Sequence, residues 1–216
     1  MRDLYPGYDV LSKRDTPSWN EQTRRVIDRR LAIDPDAHRF FSDEEWTTLR
    51  ALCDCIIPQP VGRTRPVPVA AMVDQKMVKN ERDGYRHAEL PPMQEAWRRA
   101  LAAIDAEARA GHARPFHELA ATQQRELVDG MQQGMLHNGA WGTMPPREFF
   151  QYRVVNDIVK SYYAHPTAWN EIGRGGPASP RGYVRLQADR RDPWEAAEAK
   201  PGQEPQAYRE NQRVGR

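Results

Sequence analysis

The chain has 216 residues, which is enough for one well-filled core, so a second independent domain is not required. Its 32 Lys and Arg residues stand against 30 Asp and Glu residues, and both signs are spread along the sequence. This balance argues against a nucleic-acid partner, because such surfaces concentrate positive charge to neutralise phosphates. No run approaches the roughly 20 apolar residues of a membrane span, so no direct span is predicted.

The N-terminal region divides into an arm and a first helix. Residues 1–16 place Tyr5 and Tyr8 among charged residues and are predicted to form an extended arm with a few aromatic anchors. A helix is predicted from about Trp19 to Ala32, with Ser18 as its cap. The arm has too few apolar residues to fold alone, so we expect it to lie on another surface.

Two arginine pairs in the first helix resemble part of a twin-arginine export signal. The short apolar run Leu31-Ala32-Ile33 that follows is ended at once by Asp34, Pro35 and Asp36. A signal peptide needs a longer apolar region, so no signal is predicted here. We expect a cytoplasmic location for the chain as written, and a periplasmic one if an exported partner carries it.

The second and third helices have clear boundaries. Ser42 and Glu45 have the spacing of a capping box, and Pro58 ends the apolar pattern after Ile57. A third helix is predicted over Val69 to Lys79, with its Val and Met residues facing inward.

The only cysteines, Cys53 and Cys55, lie two residues apart on the second helix. Their side chains diverge by about 200° there, which is poor geometry for a disulfide. A Cys-x-Cys pair also lacks the further ligands that a metal site needs. We therefore interpret both as buried small apolar residues and predict no metal site.

Three more helices follow in the second half of the chain. Pro91-Pro92 opens a long helix that is predicted to end at Gly111, and Thr122 begins one closed by Gly134. The helix from Arg147 to Tyr163 has two apolar faces, which predicts a central position. With no convincing strand, the sequence predicts an all-α fold: a single irregular bundle of about six helices.

The stretch from Tyr162 to Leu186 is rich in proline, glycine and aromatic residues. Proline removes backbone donors and glycine permits positive φ, so no long helix or central strand is expected, and a long shaped loop is predicted. Its aromatic residues are too apolar for disorder and need a cover, either this chain's own helices or another protein.

The remaining residues, 187–216, form a polar tail. Such a composition does not bury itself, so the tail is predicted to be disordered or wrapped on a partner. The sequence thus predicts three ranges: an N-terminal arm (1–16), a helical domain (17–186) and a polar C-terminal tail (187–216).

Three motifs in a fixed order carry a resemblance to a known family. They are a capped helix ending in proline, an aromatic pair that opens a later helix, and a turn-rich ending. In this sequence they read Phe41-Ser42-x-x-Glu45-x-x-x-Leu49-x-x-Leu52-x-Asp54-x-Ile56-Ile57-Pro58, then Phe149-Phe150, then Tyr163-x-His165-Pro166 with Glu171-Ile172-Gly173 and Gly176-Pro177. Over roughly Phe40 to Tyr183 the chain resembles the gluconate 2-dehydrogenase subunit 3 family.

The resemblance implies a helical, non-catalytic small subunit of a large FAD-dependent oxidoreductase of the glucose-methanol-choline type, which oxidises a sugar or another alcohol. FAD is then expected on the partner and no cofactor on this chain, and a cytochrome subunit is a further partner that the resemblance allows. Separately from the resemblance, the excess of aromatic residues on a backbone that cannot form regular structure predicts that the long loop docks on the large subunit. The predicted docking residues are Tyr162, Tyr163, His165, Pro166, Trp169, Glu171, Ile172, Gly173, Gly176, Pro177 and Tyr183.

Two other interpretations of the sequence stay open. In the first, the loop holds an active site, with His165 as general base, Glu171 orienting it, and Tyr162 or Tyr163 as the acid. In the second, the chain is a free-standing helical protein with a regulatory or chaperone-like role. No dinucleotide-binding glycine motif, nucleophile elbow or di-iron Glu-x-x-His pair is present to favour an enzyme.

Overall fold

A computed structural model describes residues 3–177, 187–188 and 190–214. Helices and turns make up these residues, with no β-strand among them, so the all-α prediction is confirmed. The α-helices are α1 (Glu21–Leu31), α2 (Asp43–Ile56), α3 (Val69–Lys79), α4 (Met93–His112), α5 (Ala121–Gln133), α6 (Pro146–Phe149), α7 (Val155–Ala164), α8 (Pro166–Trp169) and α9 (Glu204–Asn211).

Helix starts follow the capping chemistry of the sequence. The N-cap Ser42 accepts a hydrogen bond from the Glu45 N–H, and the Glu45 side chain accepts one from the Ser42 N–H, so the predicted capping box is confirmed. The cap of α1 is Asn20, whose Oδ1 accepts from the Thr23 N–H at 2.9 Å. The prediction that Ser18 caps this helix is wrong, because the chain turns into the helix two residues later.

Helix ends depend on residues that adopt the left-handed conformation. Gly134 closes α5 with φ of 72°, as predicted. The long helix α4 runs through Gly111 and ends at Ala113, which has φ of 56°. The prediction that Gly111 ends this helix is therefore wrong, and an alanine occupies a position that glycine usually fills.

The predicted helix from Arg147 to Tyr163 is interrupted in the structure. A π-helical segment covers Phe150–Val154, between α6 and α7. Insertion of one residue into a helix turn rotates the side chains that follow, so the two apolar faces seen in the sequence belong to two helical segments.

The described residues form two compact units. The central unit comprises residues 34–162. The terminal unit combines residues of 1–33 with residues of 163–216. These units cut the chain at positions other than the three ranges predicted from the sequence, and the boundary at Tyr162 and Tyr163 falls inside α7.

The central unit is built around a run of aromatic rings. The Trp97 ring, which is fully buried, makes edge contacts with Phe41 at 6.4 Å and Phe149 at 5.2 Å between ring centroids. Trp141 lies 6.3 Å from Phe149 and extends the run. Such aromatic pairs stabilise a core by more than the burial of their apolar area alone.

The terminal unit has a core made from both ends of the chain. Its members come from the N-terminal arm, α1, α8 and the C-terminal tail: Tyr8, Val10, Trp19, Ile27, Trp169 and Val214. A second cluster of Ala197, Ala199 and Ala207 lies within the tail, which includes α9. The prediction of a disordered tail is wrong for the described tail residues, because small alanines pack closely where larger apolar residues are scarce. Contact of the tail with a partner stays a prediction.

Candidate functional site

The segment from Tyr162 to Pro177, the described part of the predicted loop, begins as helix. After α7 ends at Ala164, the chain forms α8 and a 3-10 turn over Asn170–Ile172. Proline at the first position of α8 is compatible with a helix, because its missing N–H has no partner there in any case. The prediction of a loop without regular structure is therefore wrong for the first ten residues of this segment.

His165 is the cap of α8. Its Nδ1 atom accepts from the Thr167 N–H at 3.3 Å, and its Nε2 atom lies 3.1 Å from the carbonyl oxygen of Arg30. A carbonyl only accepts, so Nε2 donates and the imidazole is neutral in this arrangement. The Arg30 side chain donates back to the Ala164 carbonyl at 2.6 Å, which ties the end of α1 to the start of α8.

Trp169 belongs to the core of the terminal unit. The residue is only 1% exposed, and its indole Nε1 donates to the Tyr163 carbonyl at 2.7 Å. The guanidinium of Arg174 lies 5.5 Å from the centroid of the same ring. The aromatic excess of this segment is thus covered, at this position, by the chain's own residues.

The turn after α8 depends on glycine at two positions. Gly173 has φ of 62°, and a Cβ there would come within 2.4 Å of the Tyr5 ring. Gly176 has φ of 79°, and its Cβ would lie 2.9 Å from Trp19. Glycine permits positive φ, and both residues adopt it, while close packing against the N-terminal region is a second reason for glycine here.

The backbone of this turn is paired with the N-terminal arm. Tyr8 donates from its hydroxyl to the Arg174 carbonyl at 3.1 Å, and the Val10 N–H donates to Asn170 Oδ1 at 2.9 Å. The fully buried Lys13 donates from Nζ to Tyr8 Oη at 3.1 Å. The arm therefore lies on this segment, which is the surface that the sequence left unidentified.

Burial divides the described docking residues into three groups. Tyr163 (39% exposed) and Ile172 (43% exposed) reach the surface, and Glu171 is also exposed. Gly173 and Pro177 are half-buried, and Tyr183 lies outside the described residues. The buried members are Tyr162, His165, Pro166, Trp169 and Gly176.

The interpretation as an active site places a catalytic base at His165. Both ring nitrogens of this residue are engaged with backbone groups, and the residue is only 3% exposed. The phenol of Tyr162, one of the two acids in that hypothesis, accepts from Arg63 at 2.9 Å in the central unit. These contacts give His165 and Tyr162 structural roles.

A network of buried charges in the central unit was not predicted. Asp157, whose side chain is fully buried, accepts from Lys76 Nζ at 2.7 Å and from Trp97 Nε1 at 2.8 Å. Lys76 and Arg153 also bind Asp83, each at 2.9 Å. The signal in the sequence is the Arg153 and Asp157 pair, one helical turn apart in the helix predicted from Arg147 to Tyr163.

The charges of this network lower the pKa of Asp83. Burial alone would raise the pKa of Asp83, but the hydrogen bonds and charges of Lys76 and Arg153 outweigh it and hold that pKa below its usual value. In the same unit, burial raises the pKa of the Cys53 thiol and also that of Cys55. Cys53 is buried, as expected, whereas Cys55 is half-buried.

The part of the chain that contains these motifs matches a known protein family. A family model described as gluconate 2-dehydrogenase subunit 3 matches residues 43–176. The chain belongs to the gluconate 2-dehydrogenase subunit 3 family. No match was found among curated proteins or among solved structures.

The range shared with the gluconate 2-dehydrogenase subunit 3 family begins at the first residue of α2 and ends at Gly176. It therefore includes Glu45 of the capping box, the charge network around Asp157, His165 and the glycine turn. Among the residues that the structure describes, no group of three His, Cys, Asp or Glu side chains could hold a metal ion. In the same ranges, no helix is long and apolar enough to cross a bilayer.

Proposed function

We propose that this chain is a non-catalytic small subunit that binds and stabilises a large FAD-dependent oxidoreductase of the glucose-methanol-choline type. Its partner oxidises a sugar or another alcohol, and the flavin is bound by that partner. The observation that carries the proposal is the family match over residues 43–176, since the family is described as a dehydrogenase subunit.

The contacts of the predicted site support a role in assembly over a role in catalysis. The hypothesised base, His165, links α8 to α1 through both ring nitrogens. Trp169 fills the core of its own unit. Residues that stabilise a fold in this way form a rigid frame. That frame fixes the position of a docking surface.

The docking surface that we propose uses the exposed part of the segment. Tyr163, Glu171 and Ile172 reach the surface, and the first and last are large apolar side chains. Aromatic and apolar anchors of this kind carry much of the binding free energy in protein interfaces. The buried residues of the same segment act indirectly, by fixing the position of the exposed ones.

Sequencing the genes beside this one, and co-expressing the chain with any large FAD oxidoreductase that they encode, tests the proposal. We expect the two chains to co-elute, with flavin absorption in the complex and none on the small chain alone. Elution of the small chain by itself would favour the free-standing interpretation. Stoichiometric flavin on the isolated small chain would contradict the non-catalytic assignment.

The docking surface itself is tested by Ile172→Asp. A charge at the centre of an apolar contact is expected to weaken assembly by about 2 kcal/mol, or roughly thirtyfold in Kd. The matched control is Val78→Asp on α3, because Val78 is also β-branched and is 46% exposed. Equal binding by both variants would place the interface elsewhere on the chain.

A further inference from the structure

A cleft in the central unit lies between the end of α3 and the start of α4. Its volume is about 340 Å³, and it is lined by the connection from Asn80 to Pro92, by the first turn of α4 and by Arg153. Clefts that hold small molecules begin at about 300 Å³, so this one is large enough for a small ligand. No part of the family comparison assigns it a role.

The lining of the cleft is rich in positive charge. Arg82, Arg86 and Arg153 line it, and Asp83 is the acid among the described lining residues. The carboxylate of Asp83 is already bound by Lys76 at 2.9 Å and by Arg153 at 2.9 Å. Its charge is therefore neutralised within the network, and Arg82 and Arg86 are left as the uncompensated cations of the cleft.

Several of the lining residues are fixed before any ligand binds. The side chain of Arg153 is only 10% exposed and is held by Asp83. Arg86 donates through one nitrogen to the Leu90 carbonyl, which leaves further donors of its guanidinium for another acceptor. His87 is stacked on Tyr152, with 4.6 Å between ring centroids. A fixed arrangement lowers the entropy that binding must overcome.

The exposed ring of Tyr85 adds an apolar surface to the same cleft. This residue is 64% exposed, and its ring centroid lies 6.4 Å from that of Tyr152. Arginines beside an aromatic surface suit a ligand that has both an anionic group and a carbon skeleton.

We propose that this cleft binds a small organic anion that carries a carboxylate or phosphate group, with Arg82 and Arg86 binding that group. Arginine suits both kinds of anion, since its planar guanidinium donates two parallel hydrogen bonds to either. The proposal concerns the central unit and does not depend on the assembly role.

Calorimetric titration of the full chain tests the proposal, with inorganic phosphate and citrate as separate probes and sodium chloride at equal ionic strength as the blank. We expect saturable binding of at least one probe below about 10 mM. The probe that binds more tightly distinguishes a phosphate ligand from a carboxylate ligand. Absence of saturable heat with both probes would overturn the proposal.

The double variant Arg82→Gln/Arg86→Gln identifies the site. Loss of two charge-assisted contacts is expected to raise Kd at least about tenfold. The matched control is Arg25→Gln/Arg109→Gln, which removes the same charge from side chains that are 66% and 62% exposed and outside the cleft. We expect less than about a twofold change in the control.

Equal weakening in both double variants would show diffuse attraction to net charge and would overturn the site. Arg86 also binds the Leu90 carbonyl, so circular dichroism checks that the helices are retained. If they are not, Arg82→Gln alone is used, because Arg82 is an exposed residue. An unchanged Kd in that single variant would exclude Arg82 and overturn the assignment.

Discussion

At the scale of single residues, the difference between a surface anchor and a core residue is decided by what surrounds the ring. Trp169 and Ile172 lie three residues apart in one segment, yet the first is 1% exposed and the second 43% exposed. Both are large and apolar, so the sequence of the segment does not distinguish them. The distinction comes from the N-terminal arm and the C-terminal tail, whose residues surround only the tryptophan.

Trp169→Ala is expected to lower the free energy of unfolding of the terminal unit by about 3–5 kcal/mol, because it leaves a cavity in a core. Chemical denaturation followed by circular dichroism measures this loss. Ile172→Ala is the control, with an expected loss below about 1 kcal/mol for an exposed side chain. A stable Trp169→Ala protein that binds the large subunit poorly would instead make this indole an interface residue.

Asp83 links the stability of the central unit to pH. Its pKa in the folded chain is below the ordinary value of 3.8, so its ionised form stabilises the fold above that value. This contribution is lost as pH falls from about 3.8 through the lower folded pKa. We expect Asp83→Asn to be less stable than wild type near neutral pH, with a difference that shrinks in acid.

Denaturation of both proteins across the pH range measures this difference. Asp15→Asn serves as the control, because the Asp15 side chain is 86% exposed. A difference between wild type and Asp83→Asn that stays constant from neutral pH to pH values well below 3.8 would show that the carboxylate charge is not what stabilises the network.

At the scale of secondary-structure elements, the sequence predicts helices well where capping and apolar spacing agree. The bounds of α3, Val69–Lys79, match the prediction, and the capping box of α2 is confirmed. Prediction from the sequence fails where tertiary contacts, and not capping or apolar spacing, determine the element. The tail helix α9 packs through alanine, which is weakly apolar. The π segment over Phe150–Val154 gives the sequence a second apolar face, which by itself predicts only a central helix.

The same reasoning explains how much of the candidate site could be predicted. Residue type permits positive φ at Gly173 and Gly176, and both adopt it. The Nε2 contact of His165 and the network around Asp157 depend on partners more than 80 positions away, at Arg30 and Lys76. Local spacing carries no information about such partners, so these roles required the structure.

Ala113→Gly is expected to stabilise the end of α4. Ala113 has φ of 56°, where the side-chain Cβ is strained and glycine is not, so a gain of about 0.5–1 kcal/mol is expected. Ala102→Gly, at an exposed position inside the same helix, should cost about 1 kcal/mol. Thermal unfolding of both variants checks the opposite signs, and destabilisation by both would contradict the argument.

At the scale of the whole molecule, the chain ends are structural components of the terminal unit. The buried Asn211 donates from Nδ2 to the carbonyls of Pro6 at 3.0 Å and Ala197 at 2.9 Å. Ser12 donates to the Val214 carbonyl at 3.0 Å, and the Ala199 N–H donates to Leu4 at 2.8 Å. Arm and tail therefore bind each other.

Deletion of residues 190–216 is expected to expose the core of the terminal unit while leaving the helices of the central unit folded. Hydrogen exchange resolves the two effects, since amides of α1 and α8 should lose protection and those of α2 and α4 should keep it. Unchanged protection in α1 would show that the tail is dispensable for this unit. Loss of protection throughout would show that the two units do not fold separately.

The assembly of the terminal unit from distant segments sets an order of events during synthesis. Residues 34–162 are continuous and can fold as they leave the ribosome, whereas Ser12 must wait for Val214, 202 positions later, before its hydrogen bond can form. Until then the core that contains Trp19 and Ile27 lacks Val214 and is incomplete. The interval between completion of the two units is thus a period in which a chaperone has an apolar segment to bind.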